Sequence, residues 1–402
     1  VGTSGRRRLL SPPLLTGALL LAGCSSGGGP EPAPARTSPT SATSSASSSA
    51  SAAASASAPA VRAAACRVAL PAAWRSAFAA GAYRPPQGEH AVLTETGPGW
   101  TVLQLTGAAG RRAVLVRRGE AAPRTLLRFA DPVEHQLLAA DFDGRRWAVF
   151  AVLEGRTLDS PWSLYVWDAA TGGSRRLARA DRPGPLPRPF VRDGTVLWAQ
   201  GTGSGKAAVL AAPAGGGTAR AWHTGVLDGP FAAGGLLVWR EAVGNGTRLA
   251  AVSLRDGRPA ALPPPVAALR DIRSAVSDGT TWAWVAGETA PRLMVWRAGE
   301  ARPSAAVTAS PAVDGMDQLR VSGRLVTWRT PETSYGLDLD AGAYAEITPA
   351  YGYAQAAGGA LALAYSVGDA KATGARAVIQ VVDADRLPGL PRCGGSAATD
   401  AP

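Results

Sequence analysis

The sequence predicts an all-β fold, a ring of radially packed sheets. Three observations carry this reading. Trp198, Trp239, Trp284 and Trp328 recur at intervals of 41, 45 and 44 residues, a period typical of propeller repeats. Each sits in a similar phrase, a glycine-bearing turn followed by a short apolar run. Two cysteines, Cys66 and Cys393, bracket the whole repetitive region.

The phrases are RDGTVLWA, AAGGLLVWRE, SDGTTWAWVA and VSGRLVTWRT. Earlier copies are GPGWTVLQL around Trp100 and DFDGRRWAVFAV around Trp147, and AGGALALAYS carries Tyr365 in the aromatic slot. Asp-Gly and Gly-Gly accept the positive φ that tight hairpins require. A polar loop and a second apolar strand follow each phrase, as in SLYVWDAATGG, LMVWRAGE and AVIQVVDAD. A weaker strand such as SRRLAR comes after. Seven such units, about 47 residues each, fit between the two cysteines, which is close to a propeller blade. Six or eight blades are the alternatives. A single sheet of this size cannot bury both faces, whereas wedging sheets around an axis buries them, with tryptophan filling the wedges. Closing the ring brings the chain ends together, and a Cys66–Cys393 disulfide fits that geometry. LPAAWRSAFAAG around Trp74 reads as a short amphipathic helix near the seam.

The ends point to export. Arg6, Arg7 and Arg8 precede an apolar run, Leu14 to Gly23, too short to span a bilayer. The run ends in Leu21-Ala22-Gly23-Cys24, which resembles the lipobox of bacterial lipoproteins. That resemblance implies lipidation at Cys24 and a place on the outer face of the cell membrane. The arginines match a twin-arginine signal only in part, so the export route stays open. Residues 24–63 are rich in serine, alanine and proline, cannot bury a core, and read as a disordered tether reaching about 35 Å. The expected organisation is a signal peptide (1–23), a tether (24–63), a propeller (64–393) and a disordered tail (394–402). An oxidising compartment permits the disulfide, and two thiols alone do not make a thiolate zinc site.

The formal charge is +11. Lysine occurs only at Lys206 and Lys371 and asparagine only at Asn245, a bias resembling GC-rich actinobacterial genomes. Removing residues 1–23 takes three arginines and leaves +8. For an exported chain, this argues for weak attraction to anionic lipid or wall polymer rather than nucleic acid.

Motifs that suggest chemistry dissolve on inspection. GTGSGK (201–206) invites a phosphate-loop reading, but Gln200 fills the first glycine slot, Ala207 replaces the Ser/Thr, and a strand follows where a helix is required. It is instead the third in a series of polar inter-strand loops. His90, His135 and His223 show no metal-ligand spacing; Glu134-His135 after Asp131 is the tightest acid–histidine cluster, and it reads as a surface hairpin. Gly23-Cys24-Ser25-Ser26-Gly27 matches G-x-S-x-G only by falling on the lipobox. Asp141-Phe142-Asp143-Gly144 lacks the later glutamate of a calcium loop. No catalytic set, metal site or cofactor is expected. The rim pool to watch, on position alone, is Asp143, Arg192, Asp193, Asp278 and Asp317.

Together the chain resembles actinobacterial lipoproteins with a WD40-like or TolB-like propeller. Trp-Asp occurs once, at Trp167-Asp168, and the Gly-His element of WD40 repeats is absent. The expected function is a lipid-anchored, non-enzymatic binding or scaffold module for a protein or cell-wall component. The alternatives are an extracellular carbohydrate-acting enzyme, which needs converging carboxylates about 5–10 Å apart, and a solute-capture protein with a pocket at one rim.

Overall fold

Each tryptophan phrase proves to be the second strand of its sheet, with another strand ahead of it. The computed structural model describes residues 64–131, 134–181, 184–244, 246–287, 289–367 and 376–393. Cys24, with the signal, tether and tail segments, lies outside the described residues.

The chain enters through β1 (Cys66–Arg67), α1 (Ala72–Ala80) and β2 (Ala82–Tyr83). Blade 1 comprises β3 (His90–Gly97), β4 (Trp100–Gly107), β5 (Gly110–Arg117) and β6 (Arg124–Arg128). Blade 2 comprises β7 (His135–Phe142), β8 (Trp147–Glu154), β9 (Trp162–Asp168) and β10 (Gly173–Ala180). Blade 3 comprises β11 (Phe190–Arg192), β12 (Thr195–Gly203), β13 (Lys206–Pro213) and β14 (Arg220–Gly225). Blade 4 has β15 (Phe231–Ala233), β16 (Leu236–Val243) and β17 (Gly246–Ser253), followed by α2 (Pro264–Ala267). Blade 5 holds β18 (Ser274–Ser277), β19 (Thr281–Ala286), β20 (Arg292–Arg297) and β21 (Ser304–Val307). Blade 6 holds β22 (Asp317–Ser322), β23 (Leu325–Arg329), β24 (Ser334–Asp338) and β25 (Ala343–Glu346). Blade 7 holds β26 (Tyr353–Ala357), β27 (Ala360–Val367) and β28 (Arg376–Asp383).

Every blade is an antiparallel meander. We name its strands a to d outward from the axis, where the a strands of neighbouring blades meet. Blade 4 lacks a d strand among the described residues. Its place is taken by the single bridge Val252–Pro259, in a segment with Pro259, Pro263, Pro264 and Pro265. Proline has no N–H to donate to a ladder, so pairing stops there.

Seven apolar clusters hold the ring, and each joins two adjacent blades. Val102 and Phe142 link blades 1 and 2, Val149 and Trp198 link 2 and 3, and Leu197 and Trp239 link 3 and 4. Val238 and Trp282 join 4 to 5, Val295 and Trp328 join 5 to 6, Leu325 and Leu361 join 6 to 7. Leu103 and Ala362 complete the circle from 7 to 1. Trp198, Trp239 and Trp328 are almost wholly buried in these wedges. Burying such a side chain removes enough apolar surface to stabilise each contact by about 2–3 kcal/mol. One glycine pair sets how tightly blades 4 and 5 approach. A Cβ on Gly279, whose φ is +102°, would lie 2.8 Å from the backbone of Gly234.

Closure uses the N-terminal segment. β2 pairs with β28 as the outermost strand of blade 7, while β1 runs parallel to β25 and adds a fifth strand to blade 6. The Cys66–Cys393 disulfide is formed, with Cα atoms 5.7 Å apart. Between β1 and β2, α1 buries Trp74 and Phe78 edge to face, and the Trp74 indole donates to the carbonyl of Pro388 at 2.8 Å. The wholly buried Asp338 carboxylate pairs with Arg324 and accepts from the backbone N–H groups of Asp340, Ala341 and Leu390. It thereby holds the C-terminal segment against blade 6.

Candidate functional site

The meander divides the loops between two rims. Turns a–b and c–d lie at one end, hairpins b–c and connections d–a at the other. The two ends differ in what their side chains are left free to do.

At the a–b rim, polar groups are occupied by the turns themselves. Asp143 Oδ1 accepts from the backbone N–H groups of Arg145, Arg146 and Trp147. Asp193, with φ +47°, and Gly194, with φ +72°, form the two-residue turn joining β11 to β12. Asp278 caps Thr280 and Thr281 with Oδ1, while its Oδ2 accepts from Gly323 N–H of blade 6 at 2.7 Å. Arg192 ends β11 and turns back to Asp141. Burial drives the Asp141 carboxyl upward against the pull of Arg192 and of the Val191 amide. Asp317, at the start of β22, is placed at the opposite end and pairs in register with Arg329. The five rim candidates therefore do not converge on one site.

GTGSGK is a hairpin turn on the b–c rim. Ser204 and Gly205 take φ of +53° and +69°, and Gly203 pairs with Lys206. Its amides serve a two-residue turn between strands and do not fan toward a phosphate. The Glu134-His135 cluster is likewise occupied: Glu134 pairs with Arg156, and His135 Nδ1 accepts from the Asp131 amide. No group of three or more His, Cys, Asp or Glu suited to a metal occurs among the described residues.

The b–c/d–a rim is different. Among the described residues, the large apolar side chains left exposed are Val92, Leu158, Leu186, Val226, Val243, Tyr351 and Val367. Leu158, Val243 and Val367 lie on b–c hairpins, Leu186, Val226 and Tyr351 on d–a connections, and Val92 in the entering half of β3. None lies at the other rim. Single exposed apolar residues are ordinary, so the information is in their one-sidedness.

A bulge between Leu93 and Glu95 breaks the alternation that would give both the same face. Leu93 enters the core between blades 1 and 7, and Glu95 pairs with Arg320 of blade 6 at 3.2 Å. The Tyr353 hydroxyl donates to the Leu93 carbonyl, and Gln355 Nε2 donates to that of Thr94 at 3.0 Å. Burial raises the Tyr353 phenol, helped by Glu95. Burial also raises Asp317, opposed by Arg329. Arg188 is exposed to solvent, yet desolvation by surrounding protein is the largest influence lowering its pKa, followed by repulsion from Arg320. Glu95 and Asp228 attract it. Sequence reading missed Glu95, Arg320, Arg329 and Tyr353, because nothing in a repeat shows which polar residues turn to the axis.

Seven radially packed sheets define a seven-bladed β-propeller. No family model and no curated protein matches the chain significantly. Solved structures do. The chain is similar to one of two prolyl endopeptidases studied for inter-domain dynamics, with TM-score 0.51 and 14% identity over 80% of this chain and 50% of that one. It is also similar to the β-propeller domain of the Trilobed protease from Pyrococcus furiosus, with TM-score 0.51 and 11% identity over 73% of this chain and 96% of that one. That domain is described as having an open velcro topology, whereas here β2 closes blade 7. TolB from Acinetobacter baumannii aligns at TM-score 0.37 and 14% identity over 75% of this chain and 67% of that one, too low to bear on the argument. The chain spans about half the length of the prolyl endopeptidase.

Proposed function

We propose that this chain is a non-enzymatic binding module, held on the outer face of the cell membrane by a lipid on Cys24. It presents the b–c/d–a rim to a protein or cell-wall partner. The observation that carries the reading is the placement, among the described residues, of all seven large exposed apolar side chains at that rim. Apolar side chains gathered on one face favour association there. The opposite rim supports the reading from the other side, since Asp143 and Asp278 there are taken up by backbone N–H groups.

The enzymatic alternative needs a pair of carboxylates with separate acid and base roles. Glu95 faces Arg320, Asp141 faces Arg192 and Asp228 faces Arg240. An arginine on each of these carboxylates occupies the oxygen that a proton donor or an acid–base pair needs free. The peptidase names belong to the similar structures, one of which is twice as long as the region matched.

The test is site-specific photocrosslinking on intact cells. The crosslinker replaces Leu158 or Tyr351 at one rim, and Arg145 or Arg255 at the other. Adducts from Leu158 and Tyr351 alone are expected. Equal yields from both rims, or turnover of wall saccharides by the purified chain, would overturn the reading.

A further inference from the structure

The apolar cluster between blades 7 and 1 differs from the other six: among the described residues it alone contains no tryptophan. Blade 1 offers Leu103 and Leu105 where blades 3, 4 and 6 turn Trp198, Trp239 and Trp328 toward the preceding blade. Blade 7 meets them from β27 with Ala362 and Ala364. Leucine against alanine fills less volume than tryptophan against valine or leucine, so this seam falls short of close packing.

The consequence is a cavity of about 280 Å³ between the two blades. Leu103, Val116, Ala360, Ile379 and Val381 supply apolar walls, and α1 and β2 close the flank through Ala80 and Tyr83. Two glycines let the walls stand this close. A Cβ on Gly81 would lie 2.5 Å from the Val381 carbonyl oxygen, and one on Gly97 would lie 2.4 Å from the Trp100 indole. The Thr101 hydroxyl is already bonded to that of Thr96. An apolar cavity of about 150 Å³ stays dry and accepts a benzene molecule, and this one has room for a longer apolar body.

At the a–b/c–d rim the lining ends in Gly99, Arg117 and Arg118. Arg117 and Arg124 share Glu120, at 3.1 and 2.8 Å. Arg118 and Arg386 share one oxygen of Asp383, at 3.2 and 3.6 Å. The charges of segments 117–124 and 383–386 are completed by Asp385, so four arginines stand against three carboxylates. Arg117 also reaches the Gly144 carbonyl of blade 2. The charges there cancel, since Asp143 and Asp168 offset Arg145 and Arg146. One positive charge is left in surplus. Arg118 meets Asp383 through Nη1 alone and its side chain is 59% exposed, so its other nitrogens can take an acceptor.

We propose that the seam between blades 7 and 1 binds a fatty carboxylate. The alkyl chain fills the cavity, and the carboxylate rests on Arg118 with Arg117 beside it. A guanidinium matches a carboxylate with two parallel hydrogen bonds, and a single negative charge neutralises the surplus. The site lies at the rim opposite the exposed apolar side chains and does not depend on the reading of that face.

Calorimetric titration of the full chain with octanoate tests it, against acetate, 1-octanol, octylammonium and octyl phosphate. Octanoate should bind at least tenfold more tightly than each of these. Val116→Trp and Ala360→Leu fill the cavity from its two sides and should each weaken octanoate at least tenfold, with circular dichroism confirming the fold. Arg118→Gln should weaken it several-fold and Arg118→Lys less, because the charge is kept and the fork is lost. Asp383→Asn should tighten it by releasing Arg118. Leu158→Asp, at the other rim, should change nothing. Absence of octanoate binding, undiminished affinity in both folded filling variants, or octylammonium or octyl phosphate binding as tightly as octanoate would each overturn the proposal.

Discussion

Replacing both Cys66 and Cys393 by alanine should lower the melting temperature by about 9 °C while leaving the folded spectrum unchanged. The bond closes a loop of 327 residues. Loop-closure entropy for that length corresponds to about 6 kcal/mol of destabilisation of the unfolded chain at 25 °C. Unfolding a propeller of roughly 300 ordered residues releases about 2.1 cal/mol/K per residue, or about 0.63 kcal/mol/K in all, which converts the loss into a shift of about 9 °C. Residual structure in the unfolded chain already restricts its ends, so the figure is a ceiling. The native seam keeps its other ties, β1 on β25, β2 on β28 and Trp74 on Pro388. The assay is a reversible thermal scan followed by circular dichroism, paired with urea titration. The urea slope should rise, because the unlinked chain exposes more surface. A melting temperature unchanged within 2 °C would refute the argument, since the ends would then be tied in the unfolded state by something else. Loss of the native β spectrum at room temperature would refute it from the other side, making the bond a requirement of the fold.

Other expectations follow from single contacts. Asp338→Ala strands Arg324 and removes the acceptor of three backbone N–H groups; urea unfolding should show a loss of about 3–5 kcal/mol. Gly279→Ala drives a methyl into the backbone of Gly234 at a positive φ and should cost about 1–3 kcal/mol by the same measurement. Hydrogen bonding from Arg146 holds the Asp168 carboxyl at about 2, below its usual 3.8. Its contribution is therefore full above pH 4 and lost as pH falls toward 2, and Arg146→Ala should flatten the urea-midpoint profile across that window. Gly205→Ala should cost about 1 kcal/mol through its left-handed backbone, while Lys206→Ala should leave the melting temperature unmoved and nucleotide titrations blank, as expected of a hairpin.

The repeat was legible because its b strands are long and carry tryptophan. Trp198, Trp239 and Trp328 fill the inter-blade wedges, so burial itself writes the period. The a strands left little trace. β11 and β15 have three residues each, too short for an alternating pattern. The d strand of blade 4 is erased by prolines for a backbone reason that composition alone does not place. The axial pair was harder still. Arg320 and Glu95 lie 225 positions apart. Ring closure brings them together, and closure is a property of the whole chain. The acids that precede the tryptophan strands were visible, but Asp143 and Asp278 are explained by the hairpins they cap. The disulfide was legible from position, since Cys66 and Cys393 stand at the two ends that ring closure brings together.

The N-terminal segment does more than complete two sheets. Ala65 donates to Ala306 at the edge of blade 5, β1 follows blade 6, and β2 joins blade 7. A mechanical pull on the chain ahead of Cys66 loads the Ala65–Ala306 hydrogen bond and then, at the first residue of β1, the covalent link to Cys393. Tension then runs across the bond to the C-terminal segment, which Asp338 and Arg324 clamp to blade 6. β2, only two residues long, lies beyond the load and is not peeled from blade 7. With the bond intact, the ring can be tugged from its leading end without being unzipped; reduce it, and the same force falls on β1 and α1 in turn.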